Sequence, residues 1–126
     1  MKDKISIRPE ISGINNIENI SEIEYFQNTT LRPIIKLQHS LLISFHREYL
    51  INRKTDFNNI SNEKAILFIE NSLAKDNRLK NRLLGIILGL FTVEEYKAYT
   101  QNSSEINKRI IGIIKKRVKD SILELR

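Results

Sequence analysis

The sequence contains a run of nine residues without a charged or strongly hydrogen-bonding side chain, Leu83-Leu84-Gly85-Ile86-Ile87-Leu88-Gly89-Leu90-Phe91. On a helical wheel, at roughly 100° per residue, its large side chains cover more than half of the circumference. The run is too short to span a bilayer, which takes about 20 apolar residues. We therefore expect a buried helix over residues 77–91, with other helices packed around it.

The rest of the chain carries helix signals of its own. Residues that favour helix N-caps precede six segments with an apolar stripe: Ser21, Thr30, Ser61, Asp76, Thr92, and either Ser103 or Ser104. The two longest predicted helices span residues 31–52 and 105–125, and no segment predicts a β-strand. The sequence therefore predicts an all-α fold, a compact bundle of about five or six helices around the helix at residues 77–91.

The first 20 residues have a different pattern. Their isoleucines recur every three residues, a spacing that fits neither a long helix nor a strand, at Ile11, Ile14, Ile17 and Ile20. We expect residues 1–20 to form a partly irregular N-terminal arm that docks these isoleucines on the body or on a second subunit. Residues 21–126 are expected to form a single helical domain.

Composition limits the classes of function. The chain of 126 residues has no cysteine, which excludes disulfides, thiolate zinc sites and cysteine nucleophiles. No signal peptide or membrane anchor is recognisable, so we expect a cytoplasmic protein without membrane association. The formal charge of +6 permits attraction to nucleic acid or to an acidic protein. Codons rich in A and T, which encode isoleucine, asparagine and lysine, are the alternative explanation of this composition.

Small and polar residues interrupt two apolar helices. Gly85 and Gly89 each cost about 1 kcal/mol relative to alanine in a helix interior, which suggests either close approach of another backbone or a groove for a ligand. Gln38 lies within an apolar stripe and needs a partner, either another helix end or a ligand. The sequence-based candidates for ligand binding are Arg32, Gln38, Asn81 and Arg82.

The two histidines are weak metal candidates. His39 and His46 are seven residues apart, so a helix presents them on one face. A helical metal site also needs carboxylates from facing helices, and neither a His-Glu-x-x-His nor a Glu-x-x-His pattern is present. Packing beside Tyr49 is the alternative. We predict no metal and no cofactor.

Basic residues follow the apolar face of the last predicted helix. Its candidate residues for binding nucleic acid form one stripe, Lys108, Lys115, Lys119 and Arg126, with Arg109 and Lys116 further round the helix. Such a stripe can track phosphates, or it can be an ordinary solvated face. No aromatic platform or helix-turn-helix glycine accompanies it, so base-specific recognition is not predicted.

Three runs resemble a family of short, uncharacterised, all-helical bacterial proteins. They are residues 26–38 (FQNTTLRPIIKLQ), 91–96 (FTVEEY) and 107–110 (NKRI). Some members of this family carry the label glyoxalase. That label implies a metalloenzyme whose histidine and glutamate ligands lie on β-strands, whereas this sequence predicts no strand. The resemblance assigns no catalytic residue to the chain.

No pattern in the sequence indicates catalysis, because there is no nucleophile triad and no glycine-rich phosphate loop. The leading hypothesis is a small interaction module that forms a homodimer, since its helices carry much apolar surface and its arm can be exchanged between subunits. One alternative is a small-molecule-binding protein or enzyme. The other is a nucleic-acid accessory protein without sequence specificity.

Overall fold

A computed structural model describes residues 3–10 and 21–126, which form an all-α fold and contain no strand. Eight α-helices lie within these residues: α1 (Glu22–Phe26), α2 (Arg32–Leu37), α3 (His39–Asn52), α4 (Asn62–Lys75), α5 (Asn77–Leu88), α6 (Val93–Gln101), α7 (Ser103–Asp120) and α8 (Ile122–Leu125). A π-helix spans Gln27–Leu31 and a 3₁₀-helix spans Phe57–Asn59. The predicted fold class is confirmed. The four isoleucines of the predicted arm, at positions 11, 14, 17 and 20, lie outside the described residues.

The long helix α7 is the element against which most others pack. Its buried side chains recur every four residues, at Ile106, Ile110, Ile114 and Val118. The π-helix, α2, α4, α5 and α6 all contact α7. Burial of each such side chain contributes about 1.5–3 kcal/mol. This stripe therefore fixes the rotation of α7 about its axis, and with it the direction in which its polar flanks point.

The apolar run forms α5 and the turn that follows it. Leu83, Ile87 and Phe91 are buried in the core, while Gly85 and Gly89 face outward. Both α4 and α7 pack against α5. The helix is consequently covered along one stripe and open along the strip that carries the two glycines.

Four of the six predicted N-caps are confirmed. The serine expected to cap the last long helix, Ser103 or Ser104, is not a cap, because α7 begins at Ser103 after Asn102, whose side chain makes no capping hydrogen bond. The side chains of Ser21, Ser61, Asp76 and Thr92 each accept a hydrogen bond from the backbone N–H three residues later, at 3.1–3.2 Å. The Glu95 carboxylate accepts the N–H of Thr92 at 2.8 Å and so completes a capping box at the start of α6. These helix starts are therefore set by local sequence.

Thr30 is not an N-cap, contrary to the prediction. A π-helix joins α1 to α2, so the chain remains helical through this residue. The N–H of Arg32 bonds to the carbonyl of Gln27, five residues earlier, just before Pro33, whose ring has no amide to donate. The Thr30 hydroxyl instead donates to Glu95 at 3.2 Å.

Both long predicted helices are divided. The helix expected over residues 31–52 breaks at Gln38, which has φ −88° and ψ 9°. The helix expected over residues 105–125 breaks at Ser121, which has φ −109° and ψ 24°. The Gln38 amide donates to the carbonyl of Ile86 at 3.4 Å, in the last turn of α5. A helix end is one of the two partners expected for this amide.

Residues 3–10 are fastened to the start of α6 by a buried ion pair. Arg8 donates to both oxygens of Glu95, at 2.7 and 2.8 Å, and to the carbonyl of Leu90 at 2.7 Å. Lys4 donates to the carbonyl of Phe91 at 3.1 Å. Only 6% of the Arg8 side chain and 15% of the Glu95 side chain are exposed, so solvent screens this pair weakly.

Replacing Glu95 with alanine is expected to lower the free energy of unfolding by about 3 kcal/mol or more, because it leaves a buried guanidinium without its counter-ion. The measurement is urea unfolding followed by circular dichroism. Glu94→Ala removes the same charge from an exposed neighbour and is expected to change stability by less than about 0.5 kcal/mol. Equal effects of the two changes would contradict the proposed importance of the ion pair.

Candidate functional site

A groove of about 570 Å³ runs along one flank of α7, on the side where the π-helix and α2 pack. We call it the basic groove. Four of its lining side chains are cationic and one is a carboxylate: Arg32, Arg109, Lys116, Arg117 and Asp120. Its other lining residues are neutral: Gln27, Gly112, Ile113 and Ser121.

The periodicity of α7 brings its polar residues to this flank. Arg109, Lys116 and Asp120 are separated by seven and four residues, which places them on one side of a helix. Gly112 lies between them, and a Cβ added there would meet nothing within 4 Å. The absence of a side chain at this position therefore keeps the middle of the groove open.

Two of the four cations are already paired with carboxylates. Arg109 donates to Glu105 at 3.2 Å and to the amide oxygen of Gln27 at 3.1 Å. Lys116 donates to Asp120 at 3.1 Å. Their charges are largely compensated in the free protein, although both pairs are open to solvent and exchange partners at little cost.

The other two cations have neutral partners. The Nε of Arg32 donates to the amide oxygen of Asn28 at 3.3 Å. The Nη1 of Arg117 lies 3.3 Å from the Nδ1 of His39. Among the described residues no carboxylate forms a salt bridge with either guanidinium. The positive charge of the groove that has no direct salt bridge thus lies at Arg32 and Arg117. Arg117 is nevertheless close to Glu124, since the hydrogen bond from His39 and, to a smaller extent, the charge of Arg117 lower the pKa of that carboxyl.

The predicted basic stripe lies on the opposite flank of α7. Lys108 and Lys115 are exposed or half-exposed there, and Lys119 donates to Glu70 at 2.8 Å. Arg126 directly follows α8 and donates to three backbone carbonyls in and just after the 3₁₀-helix. Two of the four candidates therefore serve contacts within the fold, and the stripe remains a hypothesis.

The basic groove is not predicted from the sequence. The seven-residue spacing of Arg109 and Lys116 was a usable signal for one flank of α7. Arg109 and Lys116 lie near Arg32 only because α2 packs against α7. The two helices are about 80 positions apart in the chain, so no local pattern predicts this contact.

The predicted ligand-binding residues do not share one site. Arg32 lines the basic groove, whereas Gln38, Asn81 and Arg82 do not. The Gln38 amide is engaged with the end of α5. Asn81 and Arg82 are exposed on α5.

No neighbouring helix packs its backbone against Gly85 in α5, or against Gly89 just after it, within the part of the chain that is described. A Cβ at Gly85 would meet nothing within 4 Å, and one at Gly89 would meet only the carbonyl oxygen of Gly85, at 3.2 Å. The close approach expected from the sequence is therefore not made within this part of the chain.

The two histidines have unlike surroundings. His46 is 4% exposed, its Nδ1 lies 2.8 Å from the carbonyl of Leu42, and its Nε2 has no partner. His39 lies near the surface, between Arg117 and Glu124. The described residues contain no group of three potential metal ligands.

Burial lowers the pKa of His46, and the hydrogen bond to Leu42 opposes that shift only in part. Because its pKa in the folded state lies below the reference value of 6.5, unfolding takes up a proton between the two values. The contribution to stability is complete above about pH 6.5 and is lost as the pH falls towards the folded-state pKa. His46 is thus an acid-sensitive group of the core.

The variant His46→Leu is expected to remove part of the loss of stability in acid. One proton changes the free energy of unfolding by at most about 1.4 kcal/mol per pH unit. Urea unfolding of both proteins from about pH 7.5 to pH 5 measures the difference, since all other titrating groups are shared. Parallel curves would mean that His46 does not titrate on unfolding.

The runs at residues 26–38, 91–96 and 107–110 meet in space. The rings of Phe26 and Phe91 pack edge to face with centroids 5.6 Å apart. Arg109 of the third run donates to Gln27 of the first. The runs are therefore in contact, and they contribute Gln27, Arg32 and Arg109 to the lining of the basic groove.

None of the helices in the described ranges is long and apolar enough to cross a membrane. Comparison with models of protein families, with curated proteins and with solved structures gives no match to this chain. Function is therefore inferred from the groove itself.

Proposed function

We propose that this protein binds nucleic acid by holding the sugar–phosphate backbone in the basic groove. The supporting observation is the charge of the groove, in which four cationic side chains face one carboxylate. Arg32 and Arg117 have neutral partners, so their guanidinium groups are the ones expected to bind phosphate first.

The dimensions of the groove favour an extended ligand. Arg109 and Arg117 are eight residues apart on α7, about 12 Å along the helix axis. A single phosphate cannot reach both, whereas a flexible strand with repeated phosphates can. No aromatic residue is among those that line the described groove, so base stacking is not part of the proposal. We therefore expect a single strand to bind without base specificity.

The overall charge supports the same class of ligand. A formal charge of +6 on 126 residues accelerates encounter with a polyanion and makes binding sensitive to salt. The cytoplasmic location expected from the sequence is compatible with this role.

The double variant Arg32→Gln/Arg117→Gln is expected to weaken binding of a single-stranded oligothymidylate. At low salt the loss should be about tenfold or more. Each lost phosphate contact removes about 0.7 from the slope of log affinity against log salt, so the slope should fall by about 1.4. Fluorescence anisotropy titrations at several salt concentrations measure both quantities.

The matched control is Lys108→Gln/Lys115→Gln, which removes the same charge from the opposite flank of α7. It should retain more affinity than the groove variant. Equal losses would show that binding follows net charge and not the groove. If the unaltered protein does not bind at low salt, the proposal fails.

A second function, self-association, is favoured by the open face of α5. Gly85 and Gly89 are exposed, and a Cβ at Gly85 would meet nothing within 4 Å in the described chain. The Gln38 contact with α5 brings the start of α3 beside this face. Leu37 and Leu41 flank Gln38 and are 36% and 49% exposed. We propose that two copies pair through this face, as in the homodimer expected from the sequence.

Sedimentation velocity is expected to show a dimer that Gly85→Gln converts to a monomer. The change is compatible with the folded monomer, because the added side chain meets nothing within 4 Å and glutamine favours helix. Gly112→Gln places the same side chain in the basic groove, which no residue of α5 lines, and should leave assembly unchanged. A protein that is monomeric at all concentrations would rule out this second function.

A further inference from the structure

His39 joins a cation of the basic groove to a carboxylate. The Nη1 of Arg117 lies 3.3 Å from its Nδ1, and its Nε2 lies 3.0 Å from Glu124. His39 is the first residue of α3, Arg117 lies in the last turn of α7, and Glu124 lies in α8. The His39 side chain is 26% exposed, so protons from solvent reach the ring.

The partners of His39 determine where its proton lies. Arginine can only donate hydrogen bonds, and an ionised carboxylate can only accept them. Arg117 therefore donates to Nδ1, which must be unprotonated, while the proton on Nε2 is donated to Glu124. The hydrogen bond from His39 also lowers the pKa of Glu124, so this acceptor remains ionised in mild acid.

The other charged groups nearby have partners of their own. Lys36 precedes His39 by three residues, in α2. Its Nζ donates to the carbonyl of Glu10 at 3.4 Å. On α7, Lys116 and Asp120 pair with each other. Within the described residues, Arg117 and Glu124 are thus the charged groups that bond to the ring.

We infer that the charge of His39 controls whether Arg117 is available to an anion in the basic groove; this rests on the proposed function. A second proton would turn Nδ1 from an acceptor into a donor, so the hydrogen bond from Arg117 is lost. Two cations then face each other across 3.3 Å. The ion pair with Glu124 retains the ring, and the guanidinium of Arg117 turns into the groove that it already lines.

Binding and protonation are coupled in both directions. An imidazole is the side chain whose charge ordinarily changes between about pH 5 and pH 8. Acid should tighten binding, and a bound anion should raise the proton affinity of His39 by the same factor. We expect affinity to rise about fivefold or more between about pH 8 and pH 5.5.

The test uses an oligothymidylate without a terminal phosphate. Its phosphodiesters keep their charge over this range, whereas a phosphomonoester titrates near about pH 6. Affinity is measured by fluorescence anisotropy at constant ionic strength. His39→Gln keeps a side-chain oxygen as an acceptor for Arg117 and removes the titration. His46→Leu removes the other histidine, which lies in the core, and with it a source of instability in acid.

The protein itself and His46→Leu should both bind more tightly as the pH falls, while His39→Gln should show no such rise. Calorimetry in two buffers of different ionisation enthalpy should detect proton uptake on binding in the first two proteins only. A rise in His39→Gln as large as in the unaltered protein would overturn the inference, as would salt-sensitive binding that does not change with pH in His46→Leu. Absence of binding at every pH would instead remove the proposed function.

Discussion

The carboxylate of Glu95 connects three parts of the molecule that lie far apart in the chain. It accepts hydrogen bonds from the Arg8 guanidinium, the Thr30 hydroxyl and the Thr92 amide. Burial by itself raises the pKa of Glu95, but these donors lower it further than burial raises it. Thr30 belongs to the π-helix, and Arg32 is the first residue after that helix. One buried ion therefore holds the wall of the basic groove that lies opposite α7.

Local sequence predicts only those features that local chemistry decides. The caps at Ser61, Asp76 and Thr92 need a side-chain oxygen and a backbone amide three residues later, so their prediction is confirmed. Thr30 has the same chemistry, yet its hydroxyl bonds to Glu95, 65 positions away. Tertiary partners decide such cases. The division at Gln38 likewise coincides with a bond to α5 that no helical periodicity contains.

The candidate site shows the same limit. The wheel of α7 predicts one basic stripe beside the buried stripe, with Arg109 and Lys116 further round the helix, but it does not say which side of the helix borders a concavity. The structure places Lys108 and Lys115 on one flank and Arg109 and Lys116 on the other, where α2 adds Arg32. A similar contrast separates His39 from His46. The sequence gives their spacing along the helix. It does not give the burial of His46 or the partial exposure of His39, because both depend on the elements that pack against α3.

The π-helix also affects how related sequences should be compared. Its i to i+5 bond accommodates one residue more than an α-helical turn. Deleting a residue between Gln27 and Leu31 lets the turn close as an α-helix and rotates all preceding side chains by about 100°. Gln27 then points away from Arg109, and α1 no longer packs in its present position. A single-residue gap here in an alignment would accordingly mark chains in which the residue aligned with Gln27 does not line the basic groove.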